Sequence, residues 1–66
     1  MKQIGEKIKE RRKEFGITQR ALAEMAHINI NSLTKIEKGE GNPTVKTLES
    51  ILNIVGLELT TKIAEL

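Results

Sequence analysis

Few side chains in this sequence could carry covalent or acid–base chemistry. All nine acidic residues are Glu, the one His is His27, Cys is absent, and Ser occurs only at positions 32 and 50. A nucleophile, its base and an orienting group would have to be drawn from Ser32 or Ser50, His27 and one Glu. So bare a set nominates no catalytic residue and argues against an enzyme. A closed zinc site is nearly excluded on similar grounds, since without thiolates and with one imidazole it would need several Glu ligands. No metal or other cofactor is expected. The chemistry that remains is ionic and hydrogen-bonding, and its groups are spread unevenly. Residues 1–38 hold nine Lys or Arg against five Glu, a net +4, whereas residues 39–66 are net −2, for +2 overall. A basic first half on a chain of pI near 9.2 suits a polyanionic partner, although a solvated helix face gives the same count.

The elements that must position these groups are tightly bounded. A chain of 66 residues is one small domain, which buries roughly 60% of the surface it exposes when unfolded. Disulfides cannot reinforce such a core, and their absence suits a reducing cytoplasm. Oligomerisation is the remaining support. Composition is 38% hydrophobic and 30% charged, as in ordinary globular domains. No apolar run approaches the ~20 residues needed to span a bilayer. Met1 to Glu10 is charged with no apolar stretch behind it, so no secretory signal is expected there.

Along the chain, Ile4, Ile8, Arg12 and Phe15 recur at helical spacing, and that stripe stops at Gly16. Thr18 offers a capping hydroxyl for a short helix over Gln19–Ala26, with Leu22, Met25 and Ala26 expected to face inward. His27 and Ile28 form a tight connection. Asn29 then caps a helix from Ile30 to Lys38 whose inward stripe is Leu33, Ile36 and Glu37, and Gly39 ends it. Glu40 to Pro43 reads as loop. Thr44 caps a fourth helix with Val45, Leu48, Ile51, Leu52 and Val55 on one side, ending at Gly56. Beyond Gly56 the period shortens to two: Leu57, Leu59, Thr61 and Ile63 alternate with Glu58, Thr60 and Lys62. That is the repeat of a strand, with a short fifth helix as its alternative.

Two charges sit on stripes that should be buried, Arg12 in the first helix and Glu37 in the third. Burying either alone costs several kcal/mol, so the economical arrangement is that they meet as an ion pair. Outward snorkelling of Arg12 is the alternative.

Two short helices joined by a tight turn, the second polar on its outer face, is how proteins lay a helix in the DNA major groove. The run ITQRALAEMAHININSLTKIEKG, Ile17 to Gly39, followed by Asn42, Pro43 and Thr44, resembles the lambda-repressor-like helix-turn-helix domains of the Cro/CI (Xre) family. The resemblance covers about residues 4–56, and motif, flanking helix and trailing loop agree together. It implies an all-α, compact bundle of four short helices that binds operator DNA as a dimer, with the third helix reading bases. The family's buried Arg–Glu pair falls on Arg12 and Glu37. Base-facing positions fall on Ile30, Asn31, Thr34 and Lys35, and a phosphate-contacting position falls on Gln19. Two positions depart from the pattern. His27 stands in the turn where Gly is usual, although His tolerates positive φ better than most residues. Arg11 stands where Leu is frequent, and is expected to lie exposed on the basic face.

The chemistry of this face fits duplex DNA. Asn31 can pair with adenine N6 and N7, Lys35 can donate to guanine, and Ile30 or the Thr34 methyl can touch a thymine methyl. Gln19, Asn29, Lys38 and the loop at Asn42 are expected to anchor phosphates. The expectation is a helix-turn-helix domain over residues 1–56 and a tail, 57–66, for dimerisation. In that tail Leu57, Leu59, Thr61 and Ile63 pair with a second copy across a two-fold axis. The tail is similar to that of some HipB-type antitoxins, which leaves an alternative in which the main role is binding a partner protein such as a cognate toxin. A membrane-surface role for the basic first helix is disfavoured, because it lacks Trp and the other helices can cover its stripe.

Overall fold

A computed structural model describes residues 2–57 of the chain. It contains four helices: α1 (Lys2–Glu14), α2 (Gln19–Met25), α3 (Ile30–Glu37) and α4 (Val45–Ile54). Three of them begin where a side-chain oxygen replaces a missing intrahelical acceptor. Thr18 Oγ1 accepts from the Ala21 N–H at 3.0 Å, Asn29 Oδ1 from the Asn31 N–H at 2.7 Å, and Thr44 Oγ1 from the Thr47 N–H at 3.1 Å.

All four helices stop in the same way. The residue after each C-cap takes a positive φ: Gly16 (72°), His27 (58°), Gly39 (82°) and Gly56 (75°). At each end two backbone N–H groups then fold back onto helical carbonyls, as in a Schellman turn. In the α2–α3 connection His27 N–H donates to Glu24 at 3.1 Å and Ile28 N–H to Ala23 at 2.9 Å. His27 is the sole non-glycine residue with positive φ among the described residues.

Leu22, Leu33, Ile51, Val55 and Ile8 are wholly enclosed, and Ala23, Ala26, Ile36, Leu48 and Leu52 complete the core. One helix face from each element therefore supplies the interior, as the apolar stripes require. α3 lies between α1 and α2, and α2 also packs on α4. Small residues permit the nearest approaches. Ala23 and Ala26 lie in the core between helices, and Gly5 meets the C-terminal turn of α3, where a Cβ would collide with the carbonyl oxygens of Ile36 and Glu37.

Four expectations are corrected. Met25 is 53% exposed rather than inward-facing, because Leu22, Ala23 and Ala26 centre the buried stripe of α2 about 100° away from it. Val45 is 61% exposed; it is the first residue of α4, ahead of the turns that carry Leu48, Ile51 and Leu52 into the core. Phe15 does not complete the α1 stripe but lies half-exposed beneath the Arg11 guanidinium, 5.0 Å from its ring centre. Arg11 in turn is not a free surface cation. Its Nε donates to the Val55 carbonyl at 3.1 Å, and its Nη1 lies 3.4 Å from Glu14 Oε1. Leu57 is half-buried against the core, with its N–H donating to the Leu52 carbonyl at 2.7 Å. The rest of the expected strand, Leu59, Thr61 and Ile63, lies outside the described residues.

Candidate nucleic-acid interface

The turn at His27 and the two caps around it decide which way α3 points. Thr18 starts α2, the left-handed residue ends it, and Asn29 starts α3 two residues later. Leu33, Ile36 and Glu37 then anchor α3 inward. Asn31, Ser32, Lys35 and Lys38 are left exposed along it.

Beneath this face lies a buried polar cluster. Arg12 and Glu37 are 7% and 5% exposed. Arg12 Nε donates to Glu37 Oε2 at 2.8 Å, Nη2 to Oε1 at 3.2 Å, and Nη1 to the Ile17 carbonyl at 2.8 Å. The forked contact matches guanidinium to carboxylate, the geometry in which a buried pair is best compensated. Glu37 Oε1 accepts a further bond from Gln19 Nε2 at 3.0 Å. Thr34 Oγ1 is 3.4 Å from Gln19 Oε1 and 3.0 Å from the Ile30 carbonyl. No buried side-chain nitrogen or oxygen among the described residues lacks a hydrogen-bond partner.

The structure divides the expected contact residues. Asn31 and Lys35 are exposed one turn apart, with Lys38 a turn further on. Ile30 and Thr34 are half-buried, and Ile30 packs against the core. Gln19 is also half-buried, its amide nitrogen donating one proton to Glu37 and its oxygen accepting from Thr34. Asn29 uses its oxygen for the cap and keeps its NH₂ for other acceptors. Asn42 is exposed in the loop before α4, where it shares a shallow cleft with Ser32, Lys35, Thr44 and Thr47. Ser32, whose hydroxyl stands out in the sequence only as a candidate nucleophile, is exposed three residues before Lys35, and that spacing places both on the outer side of α3. Much of the first-half charge belongs to α1, where Lys7, Lys9 and Lys13 are exposed beside Glu6, Glu10 and Glu14. Among the described residues no three His or Glu side chains come together to hold a metal ion, and no helix is long and apolar enough to cross a membrane.

A short helix, a left-handed single-residue turn and a second helix with a polar outer face, both braced on the same core, define a helix-turn-helix module. The chain belongs to the helix-turn-helix family of the Cro/CI (Xre) type, which it matches over residues 8–62. It is 36% identical over 62 residues to the immunity repressor protein of Bacillus phage phi105, an alignment covering 94% of this chain and 43% of that protein. It is 30% identical over 56 residues to the HTH-type transcriptional regulator PuuR of Escherichia coli K12, covering 85% of this chain and 30% of the regulator. The chain thus spans less than half the length of these curated relatives.

Proposed function

We propose that this chain is a DNA-binding transcriptional regulator of the cytoplasm, acting as a repressor that recognises a palindromic operator as a homodimer through the major groove. The observation that carries this reading is the two-sided character of α3. Leu33, Ile36 and Glu37 lock one side into the core, while Asn31, Lys35 and Lys38 stand exposed on the other. Asn and Lys are the side chains that discriminate adenine and guanine edges in the major groove. Gln19, Asn29 and Asn42, at or before helix N-termini, and the exposed Lys38 just past the end of α3 supply donors for backbone phosphates, which position the reading helix. The repressor and regulator relatives support the same class of function. Residues 57–63, with Leu57, Leu59, Thr61 and Ile63 alternating against polar neighbours, supply the two-fold contact in this reading.

Binding-site selection from random duplexes, with stoichiometry measured on the selected site, tests it. The expected result is a two-fold-symmetric consensus occupied by two chains, with half-sites about one helical turn (~34 Å) apart. Log affinity should fall steeply with log salt. Enrichment of no sequence, with affinity insensitive to salt, would reject the reading and favour a protein-binding module.

A further inference from the structure

Glu37 does more in this geometry than neutralise Arg12. A carboxylate can only accept hydrogen bonds, and its Oε1 stands 3.0 Å from Gln19 Nε2. That contact settles which way the Gln19 amide lies, with nitrogen towards Glu37 and oxygen towards Thr34 Oγ1 at 3.4 Å. A flipped amide would set oxygen against carboxylate. The carboxylate itself cannot swing, since Arg12 holds both of its oxygens, at 2.8 and 3.2 Å. Of the two protons on Gln19 Nε2, one is spent on Glu37, and the second remains at the start of α2. Resting on the DNA-binding reading above, we propose that Glu37, held by Arg12, is a positioning residue for DNA contact: it orients the Gln19 amide so that its free N–H is presented to a backbone phosphate.

The same network constrains Thr34. Its hydroxyl has one proton, and both acceptors in reach, the Ile30 carbonyl at 3.0 Å and Gln19 Oε1 at 3.4 Å, belong to this chain. Thr34 therefore offers a duplex its methyl and hydroxyl lone pairs, not a donated proton. Removing the charge of Glu37 has two effects of opposite sign on DNA affinity. It makes the domain more positive, which strengthens attraction to phosphates. It also releases Gln19, which weakens one directed contact.

The test is a double-mutant cycle in duplex affinity, using Glu37→Gln, Gln19→Ala and the two combined, at a temperature where circular dichroism shows each variant folded. Glu37→Gln should lower affinity about tenfold with Gln19 present, the scale of one hydrogen bond to a charged group. With Ala at position 19 it should leave affinity unchanged or raise it. An equal loss in both backgrounds, or no loss in either, overturns the proposal. If Glu37→Gln does not fold, the side-chain amide of Gln19 is followed by NMR in the wild-type chain without DNA. One Nε2 proton should lie downfield and exchange more slowly than those of the exposed Asn53; Gln19 protons behaving like those of Asn53 overturn it equally. The NMR result does not involve DNA, so it separates failure of the orientation from failure of the DNA-binding reading. A wild-type chain that binds no duplex would show the latter and overturn the proposal as well.

Discussion

Arg11 on α1 caps the far end of α4 by donating from Nε to the carbonyl of Val55, 44 residues away in sequence, at 3.1 Å. Helix C-termini leave carbonyls without intrahelical partners, and a cation there also meets the negative end of the helix dipole. The same guanidinium covers Phe15 at 5.0 Å and lies near Gly56, where the tail begins. Arg11→Met should therefore destabilise the domain by about 1 kcal/mol, discounted because the side chain is one-third exposed. Urea melts check this, and an unchanged midpoint would show the contact to be energetically idle.

Arg12→Met should be far more damaging. It strands the Glu37 carboxylate and removes the partner of the Ile17 carbonyl, typically a loss of ~3–5 kcal/mol for a buried pair broken on one side. In a domain this small that is a large share of total stability. Replacing both partners with apolar residues, Arg12→Met with Glu37→Leu, should recover most of the loss, since no charge is then left buried. Denaturant midpoints of the single and double variants read both expectations, and a single variant as stable as wild type would contradict the first.

Gly5→Ala should destabilise the protein although Ala is the better helix former by about 1 kcal/mol. The added Cβ meets the backbone oxygens of Ile36 and Glu37, which cannot rotate away as a flexible side chain would. α1 and α3 must separate, at a cost of roughly 1–3 kcal/mol. Thermal unfolding decides the sign; a stabilised variant would mean that the two helices part easily.

His27→Gly should stabilise. At φ 58° an L-residue carries a penalty of roughly 1–2 kcal/mol, part of which glycine returns through the greater freedom of its unfolded chain. A net gain of about 0.5 kcal/mol corresponds to a rise of about 2–4 °C in the melting midpoint for a domain of this size. A lower midpoint would show that the imidazole makes a stabilising contact of its own.

Asn31→Ala combined with Lys35→Ala should abolish preference for the selected operator while leaving non-specific DNA binding. Each base-edge pairing lost should remove ~1–3 kcal/mol of discrimination. Titration against specific and scrambled duplexes at fixed salt measures it. Retained preference would mean that α3 is not the reading element.

The features legible in the linear chain are those whose partners lie within one or two turns. Thr18, Asn29 and Thr44 cap helices through bonds to residues two or three positions on, and Gly16, Gly39 and Gly56 end them through backbone bonds equally local. The union of Arg12 with Glu37 was also readable, because two charges on buried stripes have few affordable places to go. What tertiary structure alone decided depends on the distance and angle between helices. Gly5 has meaning only because the last turn of α3 abuts it. Arg11, expected on the surface, became a cap because the end of α4 came within its reach, and Met25, apolar enough for the core, lies outside because Leu22, Ala23 and Ala26 already turn α2 inward. Gln19, expected to reach outward, is tied inward to Glu37, 18 positions away. Local hydrogen bonds are written in nearest-neighbour spacing, whereas these contacts follow from how the four helices pack on one another, which no short stretch of sequence encodes.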